Sequence, residues 1–142
     1  MLRLRDVSIV LAILGITLSA SAQTSFKLVA HSSASIDSAS ASDVSQIFLK
    51  KTDKWPDGSE ATPVDQKVSS SVREAFSHAV HQKSAAAVDA YWQQRIFTGR
   101  GLPPLTKGSD AEVLAFVKNT PGAIGYVSAG ASTEGVKTIT LR

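Results

Sequence analysis

Near the carboxyl end the chain reads Thr120-Pro-Gly-Ala-Ile-Gly-Tyr-Val127, and this run restricts the fold more than any other stretch. Pro121-Gly122 must break whatever helix precedes it, because proline cannot continue one and glycine favours the turn. The five residues Ala123–Val127 are then too few for a helix and apolar throughout, so they read as a buried strand bounded by turn residues. Gly125 inside it permits a close backbone approach. A buried strand needs cover, and the periodicity upstream supplies it.

Val72, Ala75, Phe76, Ala79 and Val80 fall on one face of a helix that opens after Ser69-Ser70-Ser71. Ser84 can cap the next helix, where Val88, Trp92 and Ile96 recur at four-residue steps and Gly99 supplies the stop. Ser109 and Glu112 form a capping box for a helix carrying Val113, Leu114, Phe116 and Val117. Asp43 with Gln46 resembles a further box, opening a short helix through Leu49 with Val44, Ile47 and Phe48 inward. Phe26–Ala30 reads as a first strand, the serine-rich stretch 31–42 as a loop, Trp55–Gly58 as a turn and Ala61–Asp65 as a second strand. In the closing run 135–141 only Ile139 and Leu141 share an apolar face, which suits a strand at a sheet edge. The expected order is strand, helix, strand, three helices, two strands: an α/β domain with a small mixed sheet flanked by about four helices.

The first residues join Arg3 and Arg5 to an apolar run from Val7 to Leu18 and then Ala20-Ser21-Ala22. Residues 1–22 therefore read as a secretory signal peptide cut before Gln23, since the apolar run is shorter than the ~20 residues a spanning helix needs. The expectation is a periplasmic or secreted protein whose single domain occupies residues 23–142. With no cysteine, that domain must rest on its core and not on disulfides. Loss of Arg3, Arg5 and Asp6 takes the formal charge from +3 to +2, too little for a nucleic-acid binder. The lysines Lys50, Lys51 and Lys54 read as a solvated helix end.

Chemistry is thinly represented. His78 and His81 lie three apart on a polar helix face without a third ligand in reach, so a solvated pair is the reading and no metal or other cofactor is expected. His31 is isolated, and Asp65 has no histidine tied to it by motif, which leaves a hydrolase without a base. Trp55, Tyr91 and Trp92 admit ligand stacking, but their positions suit the core and its edge. Ser69, Ser70 and Ser71 differ: hydroxyls at a helix start join free N–H groups and the positive dipole end to favour an anion. Gln66 and Lys67 could add an amide donor and a positive charge. The plainer alternative is that one serine caps the helix.

Together, "SASDVSQIFLKKTDKWPDG", "SSSVREAFSHAV", "YWQQRIFTGRGLPP" and "GSDAEVLAFVKNTPGAIGYV" resemble the phosphate-type periplasmic substrate-binding proteins of ABC transporters. The resemblance covers most of residues 23–142 and implies one lobe of a type II periplasmic-binding-protein-like fold, in a family that is non-enzymatic. It also implies a ligand: full-length members hold an oxyanion between two lobes with hydroxyls, backbone amides, an arginine and an aspartate. The family's binding segment, arginine-x-aspartate-x-serine-glycine-threonine, falls on Gln66–Val72. Ser70 matches the serine, whereas Gln66, Val68, Ser71 and Val72 stand at the arginine, aspartate, glycine and threonine positions. The amino-terminal anion loop of the family has no counterpart here. The expected ligand residues are therefore Ser69, Ser70, Ser71 and Gln66, binding phosphate or another small oxyanion weakly. The alternative is an interaction module without ligand, docking on an envelope transporter, porin or sensor. A homo-oligomer would be one way for a single lobe to rebuild a cleft.

Overall fold

The computed structural model describes residues 25–142; the expected signal peptide lies outside the described residues. In chain order the elements are β1 (Phe26–Ala30), β2 (Ser38–Ala39), α1 (Ala41–Phe48), β3 (Thr62–Gln66), α2 (Ser71–His81), α3 (Ala85–Phe97), β4 (Leu105–Lys107), α4 (Asp110–Asn119), β5 (Ala123–Ser128) and β6 (Lys137–Leu141). The strands form one mixed sheet in the order β2-β6-β1-β5-β3-β4. β1 runs antiparallel to both β5 and β6, while β3 runs parallel to β5 and β4. No helix among the described residues is long and apolar enough to cross a membrane.

Alternation along the strands divides the core in two. Leu28, Ala30, Ile124, Tyr126 and Ile139 face α1 and α2, meeting Val44, Ile47, Phe48, Val72, Phe76 and Val80. Val29, Val64, Ala123 and Val127 face the other way, onto Val113 and Val117 of α4. β5 is thus covered on both faces, as its unbroken apolar run required, and α3 lies against α2. Gly125 pairs with Val29 at the centre of the sheet. A Cβ there would stand 2.8 Å from Cγ1 of both Val113 and Val64, so the missing side chain is what lets α4 reach the sheet.

Three helices start where their serines suggested: Ser70, Ser84 and Ser109 each accept the N–H three residues on. Glu112 closes its capping box one residue early, accepting from Gly108 N–H at 2.7 Å. Other details differ. α1 is capped by Ser40, which accepts from Asp43 N–H, so Asp43 is a first-turn acid and not the cap. In α2 the inner face includes Arg73 and Ser77, whereas Ala79 is exposed. The serine-rich stretch is not all loop, since Ser38–Ala39 pairs with β6, and Leu105–Lys107 adds an unexpected strand beside β3. Consequently β6 is not the edge strand it resembled: Thr140 N–H donates to Asp37 O and Arg142 N–H to Ala39 O, and β2 takes the edge.

Candidate functional site

β3 ends at Gln66, and a tight turn leads into α2, closed by Ser70 N–H donating to Lys67 O at 2.9 Å. Ser70 is extended, as an N-cap must be, and its Oγ accepts from Arg73 N–H at 3.3 Å. The same hydroxyl donates to Gln66 Oε1 at 3.4 Å. Ser69 and Ser71 flank it and are exposed. With Arg73 N–H capped and Glu74 N–H bonded to Ser70 O, the N–H groups of Ser71 and Val72 remain as first-turn donors. The three serines are therefore brought together at one helix start, Ser69 and Ser71 exposed and the half-buried Ser70 turned to its capping bonds.

Gln66 is close to them but committed elsewhere. It is buried, and its Nε2 donates to Asp110 Oδ1 at 3.0 Å and to Tyr126 O at 2.9 Å. It thereby ties the end of β3 to the start of α4 and to β5. Asp110 Oδ1 also accepts from Ser128 N–H at 3.2 Å. Partial burial works against the Asp110 carboxylate, but the donors from Ser128 and Gln66 outweigh it and hold its pKa below the usual range. Lys67 leans away from α2: its Cε lies 3.0 Å from where a Cβ on Gly108 would stand, beside the start of α4.

Directly behind the serine turn is a buried polar cluster that the sequence reading missed. Arg73 and Asp65 are both buried, with Nε 3.6 Å from Oδ1, and Arg73 Nη1 donates to Gln66 O at 2.9 Å. Asp65 Oδ1 also receives the Tyr126 hydroxyl and the Gln66 N–H, the latter at 2.9 Å. Burial pushes the Asp65 carboxyl above its usual range, against the opposing pull of Arg73, Tyr126 and Gln66. The Tyr126 phenol is raised as well, first by burial and then by the neighbouring Asp65 charge. The sequence carried no clear signal for it, because a charge at the flank of a helix's apolar stripe is ordinarily a solvated one.

The histidines do not form a site. His78 pairs with Glu74 on the surface at 2.7 Å, while His81 turns inward, its Nδ1 sharing a hydrogen bond of 2.8 Å with Ser45 Oγ of α1. Among the described residues no group of three or more His, Asp or Glu is placed to hold a metal ion. Asp65 faces Arg73 and Tyr126 and has no histidine beside it. Trp55 and Trp92 are buried, and Tyr91 lies under the Arg95 guanidinium.

His81 also carries a pH effect. Burial, then the charges of Arg73 and Lys83, lower its pKa from 6.5 to about 4. A depressed pKa means that the unfolded chain binds the proton more readily, so stability present above pH 6.5 is lost as pH falls toward 4. Discounted for partial exposure, the expected loss between pH 7 and pH 5 is about 1 kcal/mol. Urea midpoints at the two pH values measure it, and His81→Gln should flatten the difference.

No family model and no curated protein matches the sequence. Solved structures do match in fold. One is described as a phosphate ABC transporter substrate-binding protein with bound phosphate, from Clostridium perfringens: TM-score 0.64, 16% identity, covering 83% of this chain and 45% of that one. An ABC-type phosphate transport receptor from Vibrio cholerae gives a TM-score of 0.65 at 16% identity, over 83% of this chain and 46% of that one. PstS from Borrelia burgdorferi gives 0.58 at 14% identity, over 84% and 47%. The chain spans less than half the length of each of these proteins, the share expected for one lobe. Its mixed sheet, its helix-covered faces and these matches together show that the chain has the fold of the phosphate-type substrate-binding proteins, in a short, single-lobe form.

Proposed function

We propose that this is an exported, non-enzymatic protein that binds phosphate or another small oxyanion weakly at the start of α2. The supporting observation is the open helix start, where the exposed Ser69 and Ser71 flank the cap Ser70 and the N–H groups of Ser71 and Val72 are available. Hydroxyls, amides and the dipole end all favour an anion there. Gln66 contributes by fixing the floor of the turn through Asp110 and Tyr126. The affinity is low because Arg73 is engaged inside the protein and Lys67 lies toward Gly108 at the start of α4, and charge-assisted hydrogen bonds are about twice as strong as neutral ones.

Calorimetry with inorganic phosphate tests the reading. Binding is expected with Kd of about 1–10 mM, which corresponds to roughly 3–4 kcal/mol. The double variant Ser69→Ala/Ser71→Ala should weaken it about threefold or more without a large change in Tm, since neither residue is the cap. No binding heat up to about 20 mM phosphate, well above that expected range, would overturn it.

A second reading, an interaction module docking on an envelope transporter, porin or sensor, is favoured by one observation. The Gln66 amide and the Arg73 guanidinium are both engaged inside the protein. Retention of an envelope component by immobilised protein, in the absence of phosphate binding, would support it.

A further inference from the structure

Arg73 has an unusual position for a residue that binds nothing outside the protein. It is the third residue of α2, and long helical side chains point back toward the helix start. Its guanidinium accordingly lies beneath the serine turn, with Nη1 on Gln66 O and Gln66 itself bonded to the cap Ser70. A guanidinium has five N–H donors, and the protein uses only part of that set. Among the described residues the one buried side-chain nitrogen or oxygen without a partner is Arg95 Nε. For Nη2 of Arg73 no acceptor is found among the described residues, and it is not one of their fully buried unpartnered atoms, so it keeps contact with solvent although the residue is only 6% exposed.

Its contact with Asp65 is loose. At 3.6 Å the Nε–Oδ1 separation exceeds the 2.7–2.9 Å of a charge-assisted hydrogen bond, so the two attract without the paired geometry arginine can offer. Asp65 is held by other groups, the Tyr126 hydroxyl and the Gln66 N–H, which converge on the same oxygen. The carboxylate is thus fixed, while the guanidinium is held by its Nη1 bond to Gln66 O and only loosely by attraction to Asp65. The pair also cancels, leaving the serine turn without net positive charge from below.

We propose that Asp65 is an internal anion that competes with the external ligand for Arg73, so that the start of α2 is a restrained anion site. This rests on the reading of that turn as an oxyanion site. It adds that Arg73 is the site's cationic donor and that Asp65 lowers the affinity. Removing the Asp65 charge should tighten binding, whereas a purely structural pair would give weaker or unchanged binding when broken.

The test is phosphate calorimetry on the wild-type protein, Asp65→Asn and Arg73→Gln. Asparagine keeps the oxygen that accepts from Tyr126 and Gln66, so Asp65→Asn is the variant most able to fold. The expected result is about fivefold or greater tightening in Asp65→Asn and a loss of at least fivefold in Arg73→Gln. Equal or weaker binding in a folded Asp65→Asn overturns the proposal while leaving the oxyanion site standing. Binding in Asp65→Asn but none in the wild type overturns that site for the native chain and supports the competition. If Asp65→Asn does not fold, the wild type decides: the Arg73 Nε–H signal in nitrogen-15 NMR, assigned by its loss in Arg73→Lys, should move as phosphate is added. A static signal at saturating phosphate overturns the proposal, and absence of saturable binding in the wild type under that condition does so too.

Discussion

Gly125→Val should be among the most damaging single substitutions in this domain, with stability falling by about 3–5 kcal/mol, near the upper end for point changes. On strand propensity alone valine would be preferred to glycine in β5. Sterics reverse the sign. The first added carbon would stand 2.8 Å from Cγ1 of Val113 and of Val64, and 3.4 Å from Cγ2 of Val117. All three valines are fully buried, so no neighbour can turn into solvent to make room. Either α4 lifts from the sheet or β5 shifts its register, and each disrupts the core on that face. Gly125→Ala should fall between, at about 1–3 kcal/mol. Urea denaturation followed by far-UV circular dichroism measures both; a Gly125→Val protein within about 1 kcal/mol of the wild type would contradict this packing of α4.

Phe76→Ala should cost about 3–5 kcal/mol, the range for a large aromatic removed from a core. Phe76 stacks on Tyr126 with centroids 3.9 Å apart and planes 7° from parallel, and it meets Phe48 at 4.7 Å and Phe26 at 5.5 Å. It is the ring on which the others converge. Its loss leaves a cavity and removes the surface that steadies Tyr126, whose hydroxyl donates to the buried Asp65. The substitution should therefore disturb the polar cluster as well as the apolar one, which Phe76→Leu should do much less. Thermal unfolding with near-UV circular dichroism separates the two variants; equal loss in both would show that the aromatic stacking, and not the volume that leucine retains, is what matters.

The parts legible in the sequence were those whose signal is local. Ser70, Ser84 and Ser109 announce helices because a cap acts on an amide three residues away, and Ala123–Val127 announces a covered strand because every position is apolar. β2 and β4 gave no such signal, being two and three residues long and defined by backbone pairing. The reversal of β6 from edge to interior has the same origin: its neighbour is a stretch of serines with no strand pattern. For the candidate site, the clustering of the serines followed from adjacency in the chain. The engagement of Gln66 did not, since its partners Asp110 and Tyr126 stand 44 and 60 residues away. Arg73 was passed over because charged residues on a helix are assigned to solvent by default, and only the fold shows that this one points inward onto Asp65.

The position of β1 has a consequence for the order of events in folding. Its neighbours on both sides are β5 and β6, formed by residues 123–128 and 137–141, so the first strand made is the last to find partners. Closing loops of that length slows folding, and a nascent chain truncated before Ala123 has no ladder for Phe26–Ala30. The sheet centre can assemble only once residues 123–141 have been made. A chain threaded through a membrane pore would hold residues 26–122 unfolded until that segment emerged and then gain its core from it.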